Sequence, residues 1–250
     1  ARAQEESWIK DVRPFSELWS RLANTGGKLG LIGREGISAA LHERICQTAK
    51  QTPINAKDII ESMARAKEPF ELERMRRAAA ISAEAHCRAM RFTRPGMREY
   101  EVEAEFAHEF IRNRAQFAYN PIIGAGRNSC VLHYLDNDQV CRSGDVLLLD
   151  VAASYANYNS DLTRTIPVNG RFTRRQRQVY DAVLRVLRAS IAGLTPGKLW
   201  SQWQAEAEDL VARECVDLGL LKPKDLKVKV TDPSKKPVKK WFMHGNGHPI

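Results

Sequence analysis

The chain has 250 residues, of which 43% are hydrophobic and 28% are charged, a composition typical of soluble globular proteins. This length predicts one large domain or two small ones, and no run of about 18 apolar residues indicates a membrane span. Lysine and arginine outnumber aspartate and glutamate by 39 to 30, which gives a formal net charge of +9. The basic residues are spread along the chain without interleaved aromatic side chains, so a solvated surface is favoured over a nucleic-acid site.

The five cysteines form no recognisable metal or redox pattern. Their number is odd and no pair has the CxxC spacing, so neither a disulfide framework nor a cysteine zinc site is expected. Scattered free thiols are ordinary in a reducing compartment. We therefore predict a cytoplasmic protein.

The first 60 residues alternate helical and strand patterns. The runs "ELWSRLA" (17–23) and "SAALHERICQTA" (38–49) have helical periodicity, and "KLGLIG" (28–33) is typical of a short strand between glycines. Such alternation indicates an α/β unit, although this stretch is too short for a complete domain.

The rest of the chain is arranged in blocks. Strand patterns occupy "FAYNPIIGAGRNSCVLHYLD", "GDVLLLDVAA" and "NYNSDLTRTIPV", and "KWFMHGNGHPI" predicts a final strand or turn. Helical patterns, the first opened by Pro69 and the third capped by Thr173, cover 69–91, 98–115, 173–194 and 199–221. Blocks of helices beside an antiparallel sheet are typical of the α+β class.

Two aspartates lie within otherwise apolar strand patterns in "LLLDVAASYANYNSDLTRT". A hairpin with its loop at 154–157 would pair Ala153 with Tyr158 and Asp150 with Asp161. The Cβ atoms of the two aspartates would then lie about 5 Å apart. Adjacent like charges are unfavourable, and burial makes them more so. Three arrangements remain open: a divalent cation between the carboxylates, one shared proton, or a longer loop that turns the aspartates apart.

Histidines raise the weight of the metal interpretation. In "MHGNGHPI", the glycines and the proline argue against a helix, and an extended segment would direct His244 and His248 to one face. His133 lies on a third strand-like run, "VLHYLDN". For each of these histidines the alternative to a role in a metal site is a structural role, as a hydrogen-bonded core or surface residue. An oxygen-rich site with few nitrogens suits hard or borderline divalent ions such as Mn²⁺.

The order and spacing of "VLHY", "GDVLLLD", "YNSDLTRTIPVNGRFTRRQRQVY" and "MHGNGH" resemble the aminopeptidase P (Xaa-Pro aminopeptidase) branch of the pita-bread metallopeptidases. The resemblance covers about 60–250. It implies a pita-bread fold, a curved antiparallel sheet with flanking helices, for a catalytic domain at 61–250 whose C-terminal part lies beyond these residues. Residues 1–60 would be the C-terminal part of a smaller α/β N-terminal domain.

The resemblance also implies a site. Asp150, Asp161 and His248 match metal ligands, with Asp161 as the bridging one, and His133 and His244 match catalytic histidines that line the substrate site. The implied cofactors are two divalent ions, usually Mn²⁺, with zinc, cobalt or iron as alternatives. The implied reaction is removal of the N-terminal residue from peptides with proline second, by a hydroxide that bridges the two metals.

Some positions depart from the family pattern. Ala152 stands where a glycine is usual, and Pro249 follows the late histidine. Thr163 is either a hydrogen-bond donor to a ligand carboxylate or an ordinary strand threonine. The family also needs two further glutamate ligands and another histidine after "HGNGH", so we expect the chain to continue past Ile250.

The expected partners follow from the same resemblance. They are a peptide substrate with proline at its second position and further copies of the chain in a dimer or tetramer, without nucleic acid or membrane. The alternative functions are a prolidase, which cleaves only Xaa-Pro dipeptides, and a non-catalytic peptide-binding module on the same fold.

Overall fold

The structure is a computed structural model that describes residues 13–31, 38–228 and 230–248. The chain divides into two compact units, Ala1–Glu68 and Pro69–Ile250. The boundary predicted after residue 60 falls within a helix, Lys57–Arg65, and the division comes after that helix has ended. No helix among the described residues combines the length and apolar character that a membrane crossing requires.

The described residues contain seven α-helices and eight short strands. The helices are α1 Leu18–Ala23, α2 Ala39–Ala49, α3 Lys57–Arg65, α4 Pro69–Phe92, α5 Glu99–Arg112, α6 Arg174–Gly193 and α7 Trp200–Asp217. The strands are β1 Gly30–Leu31, β2 Ile54–Asn55, β3 Gln116–Phe117, β4 Ile122–Ala125, β5 Val146–Asp150, β6 Ala153–Tyr155, β7 Tyr158–Asn159 and β8 Thr163–Pro167.

The first unit contains a strand–helix–strand arrangement. Strands β1 and β2 pair in parallel, and α2 lies between them in the chain. The side chain of Ser38 caps α2 by accepting a hydrogen bond of 3.2 Å from the Leu41 backbone N–H. Parallel strands require such a crossover connection, so the α/β alternation of the sequence is present here.

The second unit is built on the helix pair α4 and α5. Pro69 opens α4, where its missing N–H costs nothing because the first turn has no partner for it. The buried face of α4 packs with α5 and the sheet in one apolar core. Its largest fully buried side chains include Ile81, Val102, Phe106, Phe110, Ile123, Leu147 and Leu149. Each stabilises the fold by about 1.5–3 kcal/mol.

The strands of the second unit form two antiparallel sheets, ordered β4–β5–β8 and β3–β6–β7. In β5, Leu147 and Leu149 are fully buried, whereas Asp150 is half-buried. Side chains alternate between the two faces of a strand, so Asp150 points away from the core that its neighbours fill. This alternation explains how a carboxylate is accommodated in an apolar run.

The predicted hairpin register is wrong. Strands β6 and β7 are joined by a two-residue turn at Ala156 and Asn157, whose φ angles are +50° and +65°. Two residues with positive φ are the signature of a type I′ turn, which matches the twist of paired strands. The turn is therefore shorter than the expected loop at 154–157, and Asp150 lies opposite Thr163 instead of Asp161.

One strand prediction also fails in part, and of the final strand or turn that the sequence predicts, the strand is absent from its described residues. After β4, residues Gly126–Cys130 form a 3₁₀ helix, and His133 follows in a loop with φ +53°, a left-handed conformation that a strand does not contain. The segment 241–248 contains no strand, and its Gly247 has φ +85°. Residues 249 and 250 lie outside the described residues.

Candidate metal and peptide site

A single phenol connects the two aspartates. The Tyr119 hydroxyl donates to Asp150 Oδ1 at 2.7 Å, and its oxygen lies 3.3 Å from Asp161 Oδ1. The Leu162 backbone N–H donates to the same hydroxyl at 3.4 Å. Because a phenol has one proton, the shorter contact is the main hydrogen bond and the longer one shares it. The carboxylates thus converge although their residues are not paired across the strands.

The backbone around Tyr119 is fixed by the second sheet. Strand β3 pairs with β6, and immediately after β3 the Ala118 N–H donates to the Ala152 carbonyl at 2.8 Å. Burial raises the pKa of the Tyr119 hydroxyl, and its hydrogen bond to Asp150 raises it further. The phenol therefore remains protonated and able to donate at physiological pH.

The aspartates open into a cavity of ≈ 510 Å³. Asp150, Asp161, His133 and His248 all line it, together with Tyr119. The structure therefore brings together four of the five site residues that the sequence predicts. Apolar contacts come from Ile122 and Leu135, and further polar groups from Asn120, Asn159 and Ser160.

His248 is the imidazole nearest the aspartates. Its Nε2 lies 3.2 Å from Asp161 Oδ2, with the two side chains 66% and 40% exposed. The preceding segment is anchored on α7, because the Asn246 N–H donates to Gln204 Oε1 at 2.6 Å. Gly247 lies beside Trp203, and a Cβ there would be in ordinary van der Waals contact with the indole at 3.5 Å. Helix α7 thereby sets the position of His248.

The other two histidines differ in their placement. His133 is exposed on the loop after β4 and lines the cavity. His244 is also exposed, but its Nδ1 lies 3.0 Å from the Gly245 carbonyl oxygen and it is not part of the cavity lining. The catalytic role that the family resemblance implies for His244 stays a prediction.

Thr163, although it lies opposite Asp150 in the sheet, is not a hydrogen-bond donor to the carboxylates. Within the described residues its hydroxyl makes no hydrogen bond to either aspartate, and it borders a different cavity together with Val146 and Phe172. Of the two alternatives for Thr163, the ordinary strand threonine is the one that agrees with these contacts, and Tyr119 is the donor to the carboxylates. The sequence gives only a general signal for it, an aromatic residue with a polar tip next to a strand.

A buried histidine supports the strand end behind the aspartates. His86 on α4 is 2% exposed, and its Nε2 lies 2.9 Å from the Val151 carbonyl oxygen. A carbonyl can only accept, so Nε2 carries the proton. Burial lowers the pKa of His86 and keeps the ring neutral. Its edge-to-face contact with Phe106, at 4.9 Å between ring centroids, fixes the orientation of the imidazole.

The donor set fits part of a divalent-metal centre. Asp150 and Asp161 present carboxylate oxygens to one cavity, and His248 adds a nitrogen within 3.2 Å of an Asp161 oxygen. This chemistry suits hard or borderline divalent ions. Across the ranges that the structure describes, no three His, Cys, Asp or Glu side chains already stand together as a metal cluster. These three side chains would therefore adjust, and further ligands would be needed, for two ions.

Comparison with known proteins identifies the family of the chain that carries this fold and aspartate cavity. Residues 73–250 match the metallopeptidase family M24. The chain belongs to this family. Its described α+β architecture matches the pita-bread fold of aminopeptidase P structures: it superimposes on structures of Escherichia coli aminopeptidase P with a TM-score of 0.78 and 36% sequence identity, over 88% of this chain and 53% of the other.

Curated relatives carry related names. The chain is 41% identical over 202 residues to the Xaa-Pro aminopeptidase of Escherichia coli, a match that covers 80% of this chain and 45% of the relative. It is 38% identical over 162 residues to the human Xaa-Pro dipeptidase, covering 62% of this chain and 33% of the relative. The chain thus spans about half the length of the Escherichia coli relative.

Several of the similar solved structures contain ligands. One is zinc-substituted Escherichia coli aminopeptidase P in complex with product, and another is the same enzyme with the inhibitor Pro-Leu. Each is 35% identical to this chain, with a TM-score of 0.78, over 88% of this chain and 53% of the other.

Proposed function

We propose that this chain contributes to the active site of an Xaa-Pro aminopeptidase, which removes the N-terminal residue from peptides with proline at the second position. The observation that carries the proposal is the convergence of Asp150 and Asp161 on Tyr119 in a cavity that His133 and His248 also line. The names of the relatives support this substrate class.

Two divalent ions are the proposed cofactors, with Mn²⁺ as the first candidate. Asp150, Asp161 and His248 would hold them together with ligands from elsewhere in the protein. Bound divalent ions would lower the pKa of a coordinated water and polarise the peptide carbonyl. The zinc-substituted relative supports a site that accepts more than one metal.

The side chains of this chain would then have separate tasks. Tyr119 holds the two carboxylates in one orientation through its hydroxyl. His133, an exposed residue that lines the cavity, would donate an N–H to the carbonyl oxygen of the bound peptide and to the negative charge that develops there. His244 would reach the substrate from the segment that carries His248, as the family resemblance implies.

Prolidase activity is the second candidate. The match to human Xaa-Pro dipeptidase favours it. A prolidase cleaves only the dipeptide, whereas an aminopeptidase P accepts a longer chain after proline. Assays with an Xaa-Pro dipeptide and with an Xaa-Pro-Xaa tripeptide separate the two.

Assembly into a dimer or tetramer and the cytoplasmic location stay predictions from the sequence.

The proposal is tested by metal content and hydrolysis together, in protein purified at its full natural length. We expect Mn²⁺ to bind and to support cleavage of the tripeptide, and Asp161→Asn to abolish both by removing one carboxylate charge from the site. The matched control is Asp209→Asn on α7, because that exposed carboxylate lies far from the aspartate cavity in sequence and pairs with Arg213 one turn away.

The outcomes separate the candidates. Cleavage of the dipeptide alone supports the prolidase. If the wild-type protein and Asp161→Asn both bind the peptide without metal and neither cleaves it, the chain is the non-catalytic module. Near-normal turnover in Asp161→Asn would overturn the role of the aspartate pair.

A further inference from the structure

A fully buried carboxylate lies outside the aspartate site. Glu99 is the first residue of α5 and has 0% exposure. It forms no ion pair with a lysine or arginine of the described residues. The positive end of the α5 dipole favours a negative charge at this position, but the dipole alone is a weak compensation for complete burial.

Four hydrogen-bond donors surround Glu99. Oε1 accepts from the Ala125 N–H at 2.7 Å and from Asn128 Nδ2 at 3.3 Å. Oε2 accepts from the Tyr134 hydroxyl at 2.7 Å and from the Gln139 N–H at 3.0 Å. A carboxylate can accept hydrogen bonds at both of its oxygens. In Glu99 each oxygen accepts two, and all four donors come from one region of the chain.

All four donors belong to the loop 126–139 or to the residue that precedes it. Ala125 and Asn128 stand at its entrance, Tyr134 near its middle and Gln139 at its exit. His133 lies next to Tyr134 in this loop and lines the aspartate cavity. Glu99 therefore fixes both ends of the loop and the residue adjacent to His133.

The backbone conformation of the loop makes this support necessary. His133 and Asn137 have φ angles of +53° and +46°, which are unfavourable for residues with a Cβ unless the surroundings enforce them. Asn137 is held in turn, because its amide donates to Glu103 Oε2 and to the Pro121 carbonyl.

We propose that Glu99 is a positioning residue that, through the loop 126–139, holds His133 in its place in the lining of the aspartate cavity. The role of Glu99 in placing His133 does not depend on the proposed function. Its consequence for catalysis rests on the proposed function.

Glu99→Gln is the direct test, because it preserves volume and removes one acceptor. An amide has only one oxygen, so its NH₂ group must face two of the four donors whichever way it is turned. We expect the loop to lose its single conformation. In protein labelled with ¹³C at histidine Cε1, the His133 resonance should shift or broaden, while the resonance of His86, buried in the core, should not change.

The matched control is Glu109→Gln on the same helix. Glu109 is 8% exposed, and its contacts are with Asn113 and Arg112 at the C-terminal end of α5. This variant should leave the His133 resonance unchanged. If Glu99→Gln does not fold, Tyr134→Phe removes one of the four donors and should still move the His133 resonance. An unchanged His133 resonance in whichever variant folds would overturn the proposal, as would an equal shift of His86.

Kinetics distinguish this proposal from the proposed function. If the protein hydrolyses Xaa-Pro peptides, Glu99→Gln should lower kcat by about 10- to 100-fold, the range expected when a catalytic group is misplaced. Added to His133→Ala, it should then cause little further loss, because both changes act on the same group. A moved His133 resonance in a protein without peptidase activity supports the role of Glu99 and contradicts the proposed function. Full additivity of the two substitutions contradicts the role of Glu99.

Discussion

The Tyr119 hydroxyl donates a hydrogen bond of 2.7 Å to Asp150, a residue 31 positions later in the chain. The same oxygen lies 3.3 Å from Asp161. In water two such carboxylates would repel each other and separate. The phenol supplies a shared proton donor that offsets this repulsion and keeps both oxygens directed into one cavity.

Tyr119→Phe should therefore weaken metal binding without changing the fold. We expect the affinity for Mn²⁺ to fall by about 10- to 100-fold, the usual cost of removing a group that orients metal ligands. The free energy of unfolding of the metal-free protein should fall by about 1–2 kcal/mol, since a hydrogen bond to a charged group is lost. Isothermal titration and urea unfolding measure the two quantities.

Tyr100→Phe is the control for this variant. Tyr100 lies on α5 with 51% exposure, so loss of its hydroxyl should change neither quantity. Equal metal affinity in Tyr119→Phe and the wild-type protein would show that the carboxylates hold their orientation without the phenol.

The two-residue turn gives a prediction about stability. Ala156 has φ +50°, a conformation that costs an alanine about 1–2 kcal/mol and a glycine almost nothing. Ala156→Gly should raise the free energy of unfolding by about 0.5–1 kcal/mol after the entropy of the unfolded glycine is subtracted. Ala80→Gly, at an exposed position within α4, should lower it by about 1 kcal/mol. If both variants are destabilised alike in urea, the turn is not of type I′.

The elements that sequence predicts well are those specified by neighbouring residues. Thr173 and Gln176 cap α6 reciprocally, with hydrogen bonds of 3.3 and 2.8 Å between them, and this pattern can be recognised within four residues. Pro69 opens α4 in the same local way. The α+β class follows from such elements and is confirmed.

The arrangement at the site depends on contacts that no local pattern encodes. The turn at Ala156 and Asn157 contains no glycine, so its positive φ angles give no signal in the sequence, and the predicted register pairs Asp150 two residues away from its observed partner. Tyr119 reaches Asp161 across 42 positions. The position of Tyr119 beside the two aspartates depends on the pairing of β3 with β6, which is a tertiary contact.

An ion-pair cluster that anchors the segment before His248 should make stability depend on pH. Glu208 on α7 is 8% exposed and contacts Lys236 and Lys239. Burial alone would raise the pKa of this carboxyl, but hydrogen bonds from both lysines outweigh burial and hold it below its ordinary 4.5. A lowered pKa stabilises the folded state above the unfolded-state pKa, and this contribution is lost as the pH falls through the folded-state value.

Glu208→Gln should accordingly lower the free energy of unfolding by about 1–2 kcal/mol at pH 7. The difference from wild type should shrink below about pH 4.5, where the unfolded carboxyl takes up its proton. Urea unfolding between about pH 7 and pH 3 measures it. Glu206→Gln, whose carboxylate is 53% exposed, should change stability by less than about 0.5 kcal/mol. A Glu208 effect that is constant over this pH range would exclude the ion pairs as its cause.

The position of His248 depends on the glycine before it. Gly247 has φ +85°, so an alanine there is strained in its backbone, while its Cβ would lie in ordinary van der Waals contact with the Trp203 indole at 3.5 Å. Gly247→Ala should displace His248 from Asp161. If His248 is a metal ligand, as we propose, the affinity for Mn²⁺ should then fall by about 10-fold or more. Gly219→Ala is matched to it, because Gly219 has φ +72° after the end of α7, and no atom of the described residues lies within 4 Å of the point that a Cβ would occupy. That variant should lose stability to a similar extent but keep its metal affinity. Equal affinities of the two variants in isothermal titration would mean that His248 is positioned by something other than the contacts of Asn246 and Gly247 with α7.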